Sequence, residues 1–384
     1  MLARSVDILG DLIAFPTVST DNNLAMIAYL QDRLSAAGAR CMVLGDETGT
    51  KANLVARLGP EAPGGIMLSG HTDVVPVADQ DWATDPFAMV ERDGLLFGRG
   101  SCDMKGFIAA TVALAEGLRG AELSRPLLLA FTHDEETGCL GARRLVRALE
   151  GEGIVPEIAI IGEPTEMRII EGHKGCFEYT TRFTGLEGHG SAPDAGVNAA
   201  EYAARYVGRL LELREALKPR APATSRFDPP WTTINVGRIA GGVAQNVIAG
   251  KAEVDWEMRP VQTADAEFVK TALAEYVRDR LLPAMQAVYP AATIEMETLG
   301  EVAGLEPMDE NAARDLVAEL TGANGTDLVA FGTEAGLFQA LGAQVVVCGP
   351  GSIAQAHKPD EFVSREQMGQ CCAMLERLAR RLGA

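Results

Sequence analysis

Two of the chain's five histidines directly follow short apolar runs: residues 66–69 lead into Gly70-His71-Thr72-Asp73, and 127–131 lead into Thr132-His133-Asp134-Glu135-Glu136. A third, His357, lies beyond the apolar run 345–348, across a loop that opens Gly349-Pro350-Gly351-Ser352. Gly162-Glu163-Pro164 closes another such run, and Asp103 sits in Gly98-Arg99-Gly100-Ser101-Cys102-Asp103-Met104-Lys105-Gly106, ahead of a helical stretch. Imidazoles and carboxylates together suit zinc or a similar divalent ion. The set divides into two sites, with His71 and Glu163 on one ion, Glu136 and His357 on the other, Asp103 bridging both and a shared water completing four ligands each. Three carboxylates and a hydroxide then balance two divalent cations, which lowers the cost of burying the cluster.

Glu135 and Glu136, read as an extended segment, point to opposite sides, so one binds metal while the other stands off as a general base. Glu135 is that base. The spacing His71-x-Asp73 lets the Asp73 carboxylate accept a hydrogen bond from the imidazole's other nitrogen and fix the ring. His133 and His173 read as structural hydrogen-bonding groups, and Cys102 as a small packing residue. No P-loop pattern can be laid on 98–106 and no G-x-S-x-G elbow occurs, which removes nucleotidase and serine hydrolase readings.

These polar groups collect where apolar runs end, and in open α/β sheets the ligand crevice lies outside the carboxyl ends of the strands. Between residues 51 and 164, strand-like runs (53–58, 66–69, 127–132, 158–161) alternate with helical ones (107–118, 142–149), the pattern of a sheet with helices on its faces. After Gly175 the pattern changes to amphipathic strands at 177–183, 232–239 and 252–258 with long helices at 198–217 and 264–288. The strand 344–348 and a final helix at 365–382 return to the first pattern. The fold expected is therefore α/β: a three-layer catalytic domain with a mixed sheet, discontinuous over 1–175 and 300–384, plus an inserted α+β two-layer sandwich domain over 176–299.

Composition narrows the partners. In 384 residues, 53 acidic against 34 basic side chains leave a net charge of −19, the wrong sign for a nucleic-acid backbone or an anionic membrane. Seven scattered cysteines without C-x-x-C spacing indicate neither a disulfide framework nor a thiolate zinc site and fit a reducing cytoplasm. The N-terminal stretch carries Leu2, Val6, Leu9 and Ile13 at helical spacing with Arg4, Asp7 and Asp11 between them, so it reads as an amphipathic helix rather than a signal peptide.

In their order along the chain, Ser69-Gly70-His71-Thr72-Asp73-Val74-Val75-Pro76, Gly98-Arg99-Gly100-x-x-Asp103-Met104-Lys105-Gly106, Asp134-Glu135-Glu136 and Gly162-Glu163-Pro164 resemble the motifs of the co-catalytic di-zinc amidohydrolases. That family includes aminoacylase, glutamate carboxypeptidase, succinyl-diaminopimelate desuccinylase and acetylornithine deacetylase. The resemblance implies metal ligands His71, Asp103, Glu136, Glu163 and His357, holding two divalent ions: zinc, with cobalt or manganese as alternatives. It implies a catalytic pair Asp73 and Glu135, a cis Asp103–Met104 bond, and a homodimer formed through the inserted domain. It further implies that His189, in Gly188-His189-Gly190-Ser191, stabilises the oxyanion in the partner subunit's site, and that Asn246 and Arg259 hold the substrate carboxylate, a task to which a planar guanidinium is suited.

Within the family, Phe331-Gly332-Thr333-Glu334-Ala335 and the stretch from Gly349-Pro350-Gly351-Ser352-Ile353 to His357-Lys358-Pro359-Asp360-Glu361 most closely resemble the acetylornithine deacetylase branch. That branch implies removal of the acetyl group from N2-acetyl-L-ornithine to give L-ornithine and acetate, for arginine synthesis. Glu334 then either reads the substrate's side-chain ammonium or is a buried hydrogen-bonded loop residue. One scaffold serves many substrates, so the alternative is a deacylase or dipeptidase acting on another N-acyl-amino acid such as acetylcitrulline or succinyl-diaminopimelate. A catalytically silent binding homologue is disfavoured by the intact ligands and base.

Overall fold

The runs Ile66–His71, Leu127–Thr132 and Ile158–Pro164 are buried along their whole length, and Gln344–Gly349 is buried beyond its first residue. Strands apolar on both faces belong in the middle of a sheet covered by helices. In the computed structural model, which describes residues 1–383, these four strands are mutually parallel and adjacent, in the order 127–132, 66–71, 158–164, 344–349. Ala52–Leu58 and then Arg40–Gly45 extend one side antiparallel, while Ile169–His173 and then Thr326–Val329 extend the other, making an eight-stranded mixed sheet.

Alternate side chains of these strands pack on opposite faces, as the pleat requires. Leu54, Ala56, Ile66, Leu68, Leu127, Leu129, Ile158 and Ile160 join one core with the helices Leu2–Ile13, Leu24–Ala36, Lys105–Gly117, Ala312–Thr321 and Arg365–Arg381. The intervening residues, among them Met67, Leu128, Ala159 and Val345, are equally buried but belong to the other face, where Leu140–Gly151 and Ala335–Ala340 lie against the sheet. The result is three layers. A small antiparallel sheet of Val90–Arg92, Leu95–Phe97 and Phe362–Ser364 pairs Phe97 with Phe362 and so holds the start of the 98–103 loop beside residue 361.

The chain divides into two compact units, one made of Met1–Gly172, Pro307–Leu328 and the residues from Thr333 onward, the other of His173–Glu306 with Val329–Gly332. In the second, four antiparallel strands run in the order Thr233–Gly241, Lys251–Arg259, Cys176–Thr184, Thr293–Val302. One face is apolar: Phe177, Tyr179, Phe183, Val254, Trp256 and Met258 pack with Tyr206, Leu210 and Leu213 of the helix Ala199–Leu217 and with Val269 and Leu273 of the helix Thr263–Tyr276. The other face is charged, with Arg182 paired to Glu253 and Glu297, and Arg238 to Glu253 and Asp255. This is a two-layer α+β sandwich.

The helix expected over 264–288 is not uniform. It runs as Thr263–Tyr276, widens into a π-turn at Val277–Leu281 and resumes as Leu282–Gln286. Pro283 has no N–H to donate to the carbonyl four residues back, and the chain widens just ahead of it. Among the described residues, no helix is long and apolar enough to cross a membrane.

Candidate active site

The parallel register decides which side chains meet. Ser69 pairs with Ile161 and His71 with Thr132, so Glu163, two residues past Ile161, lies level with His71, and the 133–136 segment leaves the sheet beside them. His71 is 1% exposed; its Nε2 stands 3.0 Å from Asp103 Oδ1 and 3.7 Å from Glu163 Oε1. Asp103 turns its other oxygen, Oδ2, to His357 Nε2 at 3.4 Å, and His357 Nε2 lies 3.1 Å from Glu136. Asp103 thus places one oxygen against each histidine. Ligand atoms of His71, Asp103 and Glu136 lie within 4.8 Å of one another, as do those of His71, Glu135 and Glu163. The Asp103–Met104 peptide is cis.

This set fits divalent cations on the structure's own terms. The donors are imidazole nitrogens and carboxylate oxygens, and Glu163 Oε1 is buried with no hydrogen-bond partner among the described residues. Charges crowd here. Burial pushes Glu135 well above the ordinary carboxylate range, and the neighbouring Glu163 adds to the effect. Burial also pushes Glu163 up to about 8 against the pull of His71. For Asp103 burial is outweighed by hydrogen bonds with His357 and His71, which hold it below the usual range. Burial opposes charge on His71, but Glu163 and Asp103 outweigh it and raise the ring well above the ordinary value. Contacts with Asp103 and Glu136 bring His357 up to about 10. A cation bound to such groups displaces their protons, so its affinity rises with pH.

Two expectations about orientation need correction. The second nitrogen of His71 is held by the backbone carbonyl of Asp73 at 2.9 Å, with the Asp73 carboxylate farther off at 3.6 Å. That carboxylate instead accepts from Ser19 Oγ at 2.7 Å and from the amides of Glu135 at 3.1 Å and Glu136 at 3.3 Å. Glu135 and Glu136 are consequently not extended. They begin a turn, entered through Asp134 at φ 54° and closed by the Gly138 and Cys139 amides on the Glu135 carbonyl, that leads into the helix Leu140–Gly151. The two carboxylates still serve different groups, Glu136 beside Asp103 and His357, Glu135 beside Glu163. Sequence reasoning missed Ser19, which sits far from every motif, and Lys51, whose ammonium joins the Ser19 carbonyl to Asp134.

Glu334 is 1% exposed and accepts from Ser69 Oγ at 2.5 Å and Thr132 Oγ1 at 2.7 Å. Cys102 is buried and donates to the Ser352 carbonyl, His133 lies against Asp134, and His173 bonds the Lys174 carbonyl. In the second unit, Gly188–His189 pairs with Val247–Ile248, and Gly190 donates to the Asn246 carbonyl at 2.7 Å, so His189 and Asn246 lie on one exposed two-stranded ladder. Arg259 stands elsewhere, at the far end of the strand Lys251–Arg259, bound through Nε and Nη2 to Glu257. The strand Lys251–Arg259 lies between Asn246 and Arg259 along the chain, and each is held by its own neighbours. The thiol and carboxylates of Cys176, Glu178 and Glu257 also converge, with Arg259 as their counter-cation.

The profile of peptidase family M20/M25/M40 matches residues 67–381. The chain belongs to the M20/M25/M40 family. An acetylornithine deacetylase of Myxococcus xanthus is 38% identical over 96% of this chain and 95% of that relative. Among solved structures, an M20 family metallo-carboxypeptidase from Sulfolobus solfataricus superposes with a TM-score of 0.75 at 16% identity, covering 97% of each chain. A dinuclear metal-binding M20 peptidase from Bacillus subtilis superposes with a TM-score of 0.64 at 17% identity, covering 99% of each. At such identities these likenesses show the fold. M20 membership makes the chain a metal-dependent hydrolase.

Proposed function

We propose that this chain removes the acetyl group from N2-acetyl-L-ornithine, giving L-ornithine and acetate, with two divalent ions held by His71, Asp103, Glu136, Glu163 and His357. The observation that carries the reading is Asp103, which turns one oxygen to His71 and the other to His357 in a buried set of imidazoles and carboxylates. The choice of substrate is supported by the acetylornithine deacetylase at 38% identity. Zinc suits the donors best, cobalt and manganese being compatible with them. Ions so bound supply Lewis acidity toward the amide carbonyl and lower the pKa of water.

Glu135 takes the proton of the attacking water and delivers it to the leaving amine. Its raised proton affinity suits both transfers. Asp73 holds the turn that aims Glu135 and Glu136, and through its backbone carbonyl fixes the His71 ring. His189 and Asn246 come from the partner of a homodimer formed through the inserted unit: His189 donates to the oxyanion, worth roughly 3–4 kcal/mol for a preorganised donor, while Arg259 recognises the carboxylate. Glu334, with both oxygens engaged by hydroxyls, is read as a buried hydrogen-bonded residue rather than an ammonium reader. A cytoplasmic location is supported by seven free cysteines. Steady-state kinetics on acetylornithine, acetylcitrulline and succinyl-diaminopimelate test the assignment. A kcat/KM advantage for acetylornithine below about tenfold, or about 1.4 kcal/mol in transition-state binding, removes it.

A further inference from the structure

Two side chains inside the quoted motifs take no part in the chemistry above, yet are among the most buried charges of the molecule: Arg99 and Glu361, each 1% exposed and joined at 2.7 Å. Glu361 precedes the strand Phe362–Ser364, whose pairing with Leu95–Phe97 delivers it to the loop that ends in Asp103. There its Oε1 accepts from the amides of Cys102 at 2.9 Å and Asp103 at 3.0 Å, and its Oε2 from the amide of Gly100 at 3.0 Å and from Arg99. One carboxylate thus fastens three of the four backbone amides from Gly100 to Asp103. Arg99 continues the chain of contacts. Its guanidinium reaches the Lys358 carbonyl at 3.3 Å and Gln80 Oε1 at 2.6 Å, lying over the Trp82 ring, and Gln80 Nε2 donates to the His357 carbonyl at 2.9 Å.

A buried ion pair contributes little net stability, since desolvation cancels most of the attraction. What this one supplies is geometry. Asp103 offers an oxygen to each half of the metal site and so has the least freedom to move. His357 has a side chain 53% exposed and a backbone at φ 62°, so packing alone does little to fix it. We infer that Glu361, Arg99 and Gln80 are positioning residues, a single brace that sets Asp103 and His357 at the spacing two cations require. The inference rests on the metal-site reading proposed above.

The test is zinc affinity by competition with a chromophoric chelator, run on the wild type, Glu361→Gln and Gln80→Met, with thermal unfolding of each metal-free protein beside it. Wild type binding fewer than two zinc ions overturns the metal-site reading itself, independently of the brace. With two ions bound, Glu361→Gln turns an amide nitrogen toward backbone N–H groups, and one ion is expected to bind 10–100-fold more weakly, the range seen when groups that orient ligands are lost. Gln80→Met leaves Glu361 on its amides and on Arg99 but removes the link to His357, along with the bonds Gln80 accepts from Arg99 and Trp82; it is expected to weaken one ion about tenfold while the metal-free protein unfolds close to the wild-type temperature. Should Glu361→Gln fail to fold, Gln80→Met decides alone. Wild-type affinity for both ions in the folded variants overturns the brace, as does lost thermal stability with unchanged affinities, the mark of a purely structural pair.

Discussion

Glu135 and Asp73 show how much a side chain's role depends on what holds it. Glu135 is pushed toward the protonated form by burial and by Glu163, which matches a group that must accept a proton and give it back. Glu135→Gln keeps shape and hydrogen-bonding size but removes the base. It is expected to lower kcat on acetylornithine by about 10²–10⁴-fold while KM and bound zinc stay at wild-type levels; an active Gln variant sinks the assignment. Asp73 acts one step back, its carboxylate on two amides and a serine and its carbonyl on an imidazole.

At the scale of elements, the ends of the central strands approach each other and the helix Lys105–Gly117 too closely for side chains. A Cβ on Gly162 would stand 1.9 Å from the Phe107 ring, and one on Gly349 would stand 2.0 Å from the Gly162 carbonyl. The glycine before Glu163 is thus a packing requirement of the strand that carries this carboxylate. Overpacking costs roughly 1–3 kcal/mol, so Gly162→Ala is expected to lower Tm by roughly 1–4 °C in calorimetry. Adding Phe107→Leu should restore part of it. An unchanged Tm in the single variant contradicts the contact.

At the scale of the whole molecule, pH and assembly are the levers. Burial brings the His173 imidazole from 6.5 to about 4. Below pH 6.5 the unfolded chain binds a proton there that the folded chain refuses until about pH 4, so stability present above pH 6.5 is lost as the pH falls through that window. The loss amounts to roughly 3 kcal/mol. Urea midpoints from pH 7 to 4 should fall more steeply for wild type than for His173→Gln; parallel curves refute it. Assembly has its own signature. If His189 serves the partner's site, His189→Ala and Glu135→Gln proteins, each inactive, should recover about a quarter of wild-type activity after subunit exchange, because half the dimers are mixed and each has one intact site. No recovery after exchange confirmed by mass refutes action in trans.

Residue types and their position after apolar runs single out His71, Asp103, Glu136, Glu163 and His357, and the fold brings these side chains together, because side-chain chemistry is legible in sequence and strand ends are where a parallel sheet exposes it. The same holds for the layers, since continuous burial of 66–71, 127–132 and 158–164 is written in unbroken apolar runs. Short edge strands such as Arg40–Gly45 and Thr326–Val329 left no comparable mark, being half exposed and defined by ladder partners supplied from elsewhere in the chain. Nor could spacing show that Asp73 turns to Ser19 and two amides, that the Asn246 carbonyl is met by Gly190 beside His189, or that Glu361 closes on Gly100 to Asp103. Those are hydrogen bonds between distant segments, and only the packing of the folded chain brings such donors and acceptors within reach.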